Sequence, residues 1–413
     1  MKRPFINFRL ALMFYIQYSV MGAIFPILST YLHDSLGFSG KQAGTIMAMF
    51  SISAFLYPLL GAYVADRLVC KERLLAMCHL LAGCMMFVLY FQTEFAPFLV
   101  CYFFYNIAYG PSLGLTNAIA FHHMEKDQAS FGHIRLWGTV AWVVVAFAFG
   151  YLWLGGVAEG EESRLGHALL LSASCSILLG LYSLTLPKSE VTREKVRRII
   201  PEDALKIMMQ RDVLFVCLIL FLAAYSAFLY YFGLSPHLRA QGISEKHIMP
   251  LMSAGQMTEI AAMFLLAFAI RRLGLFKVLL IGICSNIWRF IAFAIDDSRL
   301  IVFSGILCHG FTYAFVSLAI MIYIDSQCDR KVRAGVHQLL SIVNMGCGAI
   351  LGTVSGGFIM DLVSDEAGTV NYMLYWMIPA SIAILCLVVA IFFIPAELRA
   401  KIRSSSSDAP NPL

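Results

Sequence analysis

Apolar runs of about twenty residues, broken by short clusters of charged and turn-forming residues, recur from one end of the chain to the other. Dividing at those clusters leaves apolar segments at 8–33, 42–64, 74–93, 97–121, 133–155, 166–186, 212–235, 249–270, 275–295, 299–324, 334–363 and 370–395. Each reaches the length that a helix needs, at about 1.5 Å per residue, to cross a hydrocarbon core of about 30 Å. The pattern predicts an all-α membrane protein with twelve transmembrane helices. Lys2, Arg3 and Arg9 precede or open the first segment, as in a signal peptide, but that segment is too long and has no small-residue cleavage site. It is read as a retained first helix.

Composition agrees with lipid as the main solvent: 60% of the 413 residues are hydrophobic and 13% charged, whereas a soluble surface is about a quarter charged. An even number of spans puts both termini on one side. With that side in the cytoplasm, 24 of the 30 Lys and Arg fall on cytoplasmic loops or helix ends and five outside, with Arg289 within a span. The positive-inside rule therefore orients the chain, in a bacterial cytoplasmic (inner) membrane given the short loops. The net charge of +5 is spread over many such loops, which is topology rather than a nucleic-acid surface. The 11 cysteines are scattered singly and make no CxxC pair, so neither a disulfide framework nor a metal or cofactor site is expected.

The longest polar stretch separates six segments from six. It divides the chain into an N-terminal half, 1–187, a basic cytoplasmic linker, 188–211, a C-terminal half, 212–395, and a polar, disordered tail, 396–413. Part of the linker, Glu190 to Gln210, is amphipathic enough for an interfacial helix, with a plain basic tether as the equal alternative.

Two six-helix halves joined by a basic linker resemble the major facilitator fold, in which the halves rock about a midplane site. Gly61 and Asp66-Arg67, followed by Lys71 and Arg73, resemble that superfamily's cytoplasmic gating motif, with Ala62 where a glycine is usual. Arg271, Arg272, Leu273 and Gly274 echo it in the second half. A sharper resemblance covers nearly the whole chain. Asn106-Ile-Ala-Tyr109-Gly-Pro111-Ser-Leu-Gly114-Leu-Thr-Asn117 and Ile134-Arg135-Leu-Trp137-Gly138-Thr139 are similar to the bacterial nucleoside:proton symporter family. So are Gln17, Gly22, Ser253, Gln256, Glu259, Trp288-Arg289-Phe290, Arg333-Ala, Asn344, Gly346 and Gly348. The resemblance implies that Arg135, Thr139, Gln256 and Glu259 match substrate-binding positions, with helix-to-helix bonding as the equal alternative for Thr139 and Gln256, and that Asp66 and Arg67 serve gating, with a simple cytoplasmic turn as theirs. The chain departs from the family pattern at Ala314, where an acidic residue implicated in proton coupling is expected. It departs also at His309, where an aromatic is usual, and at Ala227 and Tyr230, where amides contact nucleoside.

Residue chemistry bears on these roles separately. A carboxylate left without a partner in mid-span would cost about 2.5–3.5 kcal/mol on insertion scales, so Glu259 points to use, here as a proton carrier, with a structural carboxylate hydrogen-bonded between helices as the alternative. His309 can exchange a proton near neutral pH and stands as a second proton-coupling candidate, with packing as the alternative. Arg289, two turns before Asp296, is read as snorkelling outward in a structural role. Arg135 either lines a cavity or snorkels to the interface beside Trp137. Asn106, Asn117, Asn286 and Asn344 are read as glue between helices, and the glycine run from Gly346 to Gly357 as a close-packing face.

The resulting expectation is a monomeric secondary transporter, not an enzyme, whose partners are nucleosides, protons and the bilayer. Fold-preserving alternatives are a sugar, an oligosaccharide or an aromatic acid as cargo. A membrane-embedded enzyme or a non-transporting membrane sensor is the remaining one, disfavoured because no metal-ligand cluster or nucleophile–base spacing is visible and neither linker nor tail is large enough for an output domain.

Overall fold

A computed structural model describes residues 3–65, 70–124, 131–156, 163–189 and 202–393. Among them, helices dominate and one isolated bridge, Ser364 with Val370, is the sheet-like pairing present. Ten helices are long and apolar enough to cross a membrane: α1 Phe5–Ser35, α3 Lys71–Tyr90, α4 Phe95–His123, α5 Phe131–Gly156, α7 Arg211–Ala240, α8 Glu245–Leu273, α9 Leu275–Ile295, α10 Arg299–Ser326, α11 Gly335–Leu362 and α12 Tyr372–Phe392. Between them run α2, Gly40–Ala65, and α6, His167–Ser183, the latter apolar but only 17 residues long. In the linker, a seven-residue helix covers Glu202–Met208; residues 190–201 and the tail lie outside the described residues, as do Asp66 and Arg67.

Some helices continue past the apolar segments, the backbone bonding running on into polar residues. Thus α7 extends through Pro236 and His237 to Ala240. Gly274, with φ of 79°, is the whole connection between α8 and α9; a side chain there would be strained by the left-handed backbone. Several spans contain a wide turn, at Tyr31–Ser35, Ala148–Trp153, Tyr313–Leu318, Ile342–Gly348 and Val389–Phe393, where i→i+5 bonding locally replaces the α pattern.

The chain packs as two compact units, Met1–Arg197 with Ser235–Ser253, and Arg198–Leu234 with Ala254–Leu413. The first has a core of Leu10, Phe14, Leu75, Ile119 and Leu179 from four helices. Here α1 and α5 approach closely: a Cβ on Gly22 would sit 3.2 Å from Trp142 Cα, and one on Gly138 2.6 Å from Tyr18 Cδ2. At one end Arg239 reaches Glu245 at 3.1 Å and Asp34 at 4.0 Å, and Ser163 donates to Glu245 at 2.9 Å. At the other, buried Glu72 accepts from the Ser189 N–H and hydroxyl, each at 3.0 Å, and lies 3.5 Å from His123. That carboxylate anchors the stretch where the chain leaves α6.

The second unit is built on α7, α9, α10 and α12, with Ile219, Leu279, Ile283, Ala314, Phe315 and Ala319 in its core. The glycines of α11 do act as a close-packing face. Cβ atoms on Gly348 and Gly352 would lie 2.7 Å from Ala224 Cβ and 2.5 Å from Phe228 Cβ of α7. Of the asparagines read as glue, Asn286 bonds across helices to Ser226, whereas Asn106 and Asn117 donate to carbonyls of their own helix, Tyr102 and Leu113.

Candidate functional site

Ionisable side chains in lipid-length helices persist when they face the protein interior and find partners. Three converge in the second unit: Glu259 of α8, Arg289 of α9 and His309 of α10. Glu259 is the central residue of its helix, about 21 Å along the axis from either end at 1.5 Å per residue. Gln256, one turn earlier, shares its face.

Two glycines let these helices close on one another. A Cβ on Gly255 would fall 3.0 Å from His309 Cβ, and one on Gly310 only 2.1 Å from Glu259 N. Thr258 adds a hydroxyl bond to the Leu307 carbonyl at 2.8 Å. With the backbones so near, side chains on α8 reach His309 directly. The His309 Nε2 lies 3.2 Å from the Gln256 amide, 3.2 Å from the Tyr231 hydroxyl and 3.8 Å from Glu259 Oε2.

The far side of the same ring meets Arg289, whose NH1 lies 3.2 Å from His309 Nδ1. Arg289 is fully buried, not snorkelling as its spacing from Asp296 suggests. Its NH2 donates to Asn286 Oδ1, and Asn286 in turn donates to Ser226 at 3.1 Å. The guanidinium is flanked by the rings of Tyr230 at 4.6 Å and Phe290 at 4.8 Å. Cation–π contact and bonding along the helix thus replace the hydration that an outward path would have supplied. Tyr230 also stacks on His309, with ring centroids 5.3 Å apart and planes within 16°. Two of the departures from the family pattern, Tyr230 and His309, are therefore in contact with each other and with Arg289. Ala314 sits fully buried in the apolar core and contributes no polar group.

Chemically, the cluster has two proton-exchanging groups, Glu259 and His309, with an amide and a phenol around Nε2. Glu259 keeps partial exposure, 15% of its side chain, against 6% for His309. A carboxylate with one side open can meet a ligand or water; a ring enclosed by Arg289, Tyr230 and Tyr231 cannot do so without rearrangement.

The first unit holds Arg135 and Thr139. The Arg135 guanidinium stands 4.0 Å over the Tyr18 ring and 5.9 Å from that of Phe14, in space that Gly138 leaves open. Thr139, one turn on, is partly exposed. Behind them lies a buried polar chain that the residue pattern did not single out. His79 Nε2 is 2.7 Å from Gln17 Oε1, its Nδ1 2.9 Å from the Ser176 hydroxyl, and Gln17 donates to Ser112 at 2.9 Å. The available signal was a lone histidine, an amide and two serines on four apolar segments, which only tertiary contact joins. Among the described residues, no group of three or more His, Cys, Asp or Glu is placed to hold a metal ion.

The profile of the family described as "Nucleoside H+ symporter" matches residues 5–397. The chain is 30% identical over 400 residues to the putative nucleoside transporter YegT of Escherichia coli K12, covering 93% of each chain. To the xanthosine permease of the same organism it is 24% identical over 408 residues, covering 94% of this chain and 95% of the relative. The crystal structure of the nucleoside transporter NupG superposes with a TM-score of 0.83 at 21% identity, over 95% of this chain and 99% of that one.

Proposed function

This chain belongs to the nucleoside H+ symporter family, and from that premise we propose that it carries nucleosides into a bacterial cell across the cytoplasmic membrane by proton symport. The observation that carries the reading is the polar cluster at the centre of apolar helices, where Glu259 stays partly exposed beside Gln256 and His309. A neutral nucleoside needs donors and acceptors in an otherwise dry cavity, which amides, hydroxyls and one carboxylate supply. We assign Gln256 and Glu259 of the second unit, and Arg135 and Thr139 of the first, to the nucleoside. Glu259, with His309 beside it, takes the proton.

In this reading α2 and α6 also cross the bilayer, at about 39 and 26 Å of helix. That makes twelve spans in the major facilitator arrangement, halves 1–187 and 212–395, a linker at 188–211, and both termini in the cytoplasm, an orientation that the Lys and Arg distribution supports. Alternating access then rocks one half against the other, with Asp66 and Arg67 in the cytoplasmic gate of a monomer.

The test is uptake of labelled uridine, adenosine, a disaccharide and an aromatic acid into proteoliposomes, with and without an inward proton gradient. Nucleoside accumulation that collapses with the gradient is expected. Accumulation of the disaccharide or the acid instead would reassign the cargo; gradient-independent nucleoside uptake would remove the coupling; binding without uptake would leave a sensor.

A further inference from the structure

His309 has a donor on each side as its neighbours are arranged. Arg289 NH1 lies 3.2 Å from Nδ1, and the Gln256 amide nitrogen 3.2 Å from Nε2. A neutral imidazole offers one acceptor nitrogen, so one of these donors must give way. A guanidinium has donors only and keeps its charge in proteins, and this one is held on its other arm by Asn286 and between two rings. The Gln256 amide is free to turn its oxygen to the same place, since rotation by half a turn exchanges the two ends at little cost in shape.

We infer that Arg289 is a positioning residue: it claims Nδ1 of His309 as an acceptor and so holds the ring hydrogen on Nε2, aimed at Gln256, Tyr231 and Glu259. The Gln256 oxygen then accepts from Nε2, its NH2 faces away from the ring, and the Glu259 carboxylate lies within 3.8 Å of the ring's N–H. The orientation of one ring thereby dictates the donor and acceptor pattern that α8 presents. Tyr230 supports it by stacking on both the imidazole and the guanidinium. Asn286 and Ser226 support it by fixing the arginine's other arm. The titratable and charged groups facing the ring are Tyr230 and Tyr231 from α7, Glu259 from α8 and Arg289 from α9.

This rests on reading His309 and Glu259 as the proton-handling pair, but its test does not involve transport. The full-length protein, labelled with 15N-histidine and reconstituted in lipid bilayers, is studied by solid-state NMR, with the His309 signals identified by their loss in His309→Gln. The expected spectrum at neutral pH has a pyrrole-type Nε2 and a pyridine-type Nδ1 for His309. In Arg289→Met, the pyrrole-type signal is expected to move wholly or partly to Nδ1, and in Arg289→Lys to stay on Nε2, because an ammonium is also a pure donor. A wild-type ring with its hydrogen on Nδ1, or a doubly protonated one, overturns the inference whether or not the variants fold. An Arg289→Met protein with the wild-type pattern does so as well. Uptake of a cargo other than nucleoside would sink the transport reading and leave this one standing.

Discussion

A methyl group added to Gly310 tests the close approach on which the cluster depends. The new Cβ would lie 2.1 Å from Glu259 N, 2.2 Å from Thr258 C and 2.5 Å from Glu259 Cα, all backbone atoms that cannot rotate aside. Ordinary contact begins near 3.4 Å, so α8 and α10 must part by 3.4 − 2.1 = 1.3 Å. Moving straight apart, they stretch the Thr258 to Leu307 bond from 2.8 to 4.1 Å, beyond hydrogen-bonding reach, and Glu259 to His309 from 3.8 to 5.1 Å. Overpacking of this kind costs about 1–3 kcal/mol, and the upper end applies when the obstacle is main chain. Gly310→Ala is therefore expected to melt at a lower temperature and to lose most nucleoside uptake. Gly132→Ala, where nothing lies within 4 Å, is expected to melt like the native protein. Melting can be followed with a thiol-reactive dye, since Cys217, Cys328 and Cys386 are buried until the protein unfolds. A Gly310→Ala protein with native melting and native uptake would refute the argument.

Glu259→Gln is expected to abolish gradient-driven accumulation while exchange of internal for external nucleoside continues; unchanged pH-dependent uptake would remove the coupling role. His79→Phe strands the amide oxygen of Gln17 in a fully buried place, and about 1–3 kcal/mol of destabilisation is expected for the lost donor. Equal melting of variant and parent would show that the polar chain in the first unit contributes nothing. Ala314→Asp sets an acidic side chain in an apolar core, at an expected cost of about 2.5–3.5 kcal/mol. Lower expression and no added proton dependence should follow, and a stable variant with steeper pH dependence would count against the packing described for Ala314.

Ten of the helices were legible because lipid imposes a length and polarity threshold that their apolar runs meet on their own, without reference to their neighbours. Glu259 was legible for the same reason: a carboxylate at the centre of α8 is costly wherever the other helices lie. Arg289 is buried where its spacing predicts snorkelling, because its fate depends on what surrounds it. Its spacing from Asp296 and its place six residues from the end of α9 fit a snorkelling side chain. What holds it inside is an acceptor one turn back, Asn286, together with Tyr230 and His309 from two other helices. Asn286 at i−3, on the arginine's own face, is visible in the sequence. Tyr230 and His309 are far apart in sequence and meet the arginine only where the fold brings them to one ring stack.

That convergence also bears on the use of Arg289, since Ala314 brings no polar group to the site. A mid-membrane arginine costs about as much to insert as an acid does, so retaining Arg289 is hard to explain by packing alone when an apolar residue would fill α9 more cheaply. Its partners give it a use. It supplies a fixed positive charge and a fixed donor behind His309, leaving Glu259 as the partly open acid in front. If the arginine served only to fill space, Arg289→Met should be at least as stable as the native protein and should transport normally. If it orders the cluster, Arg289→Met should strand Asn286 Oδ1 and His309 Nδ1, melt lower and fail to accumulate nucleoside, and Arg289→Lys should recover part of that uptake.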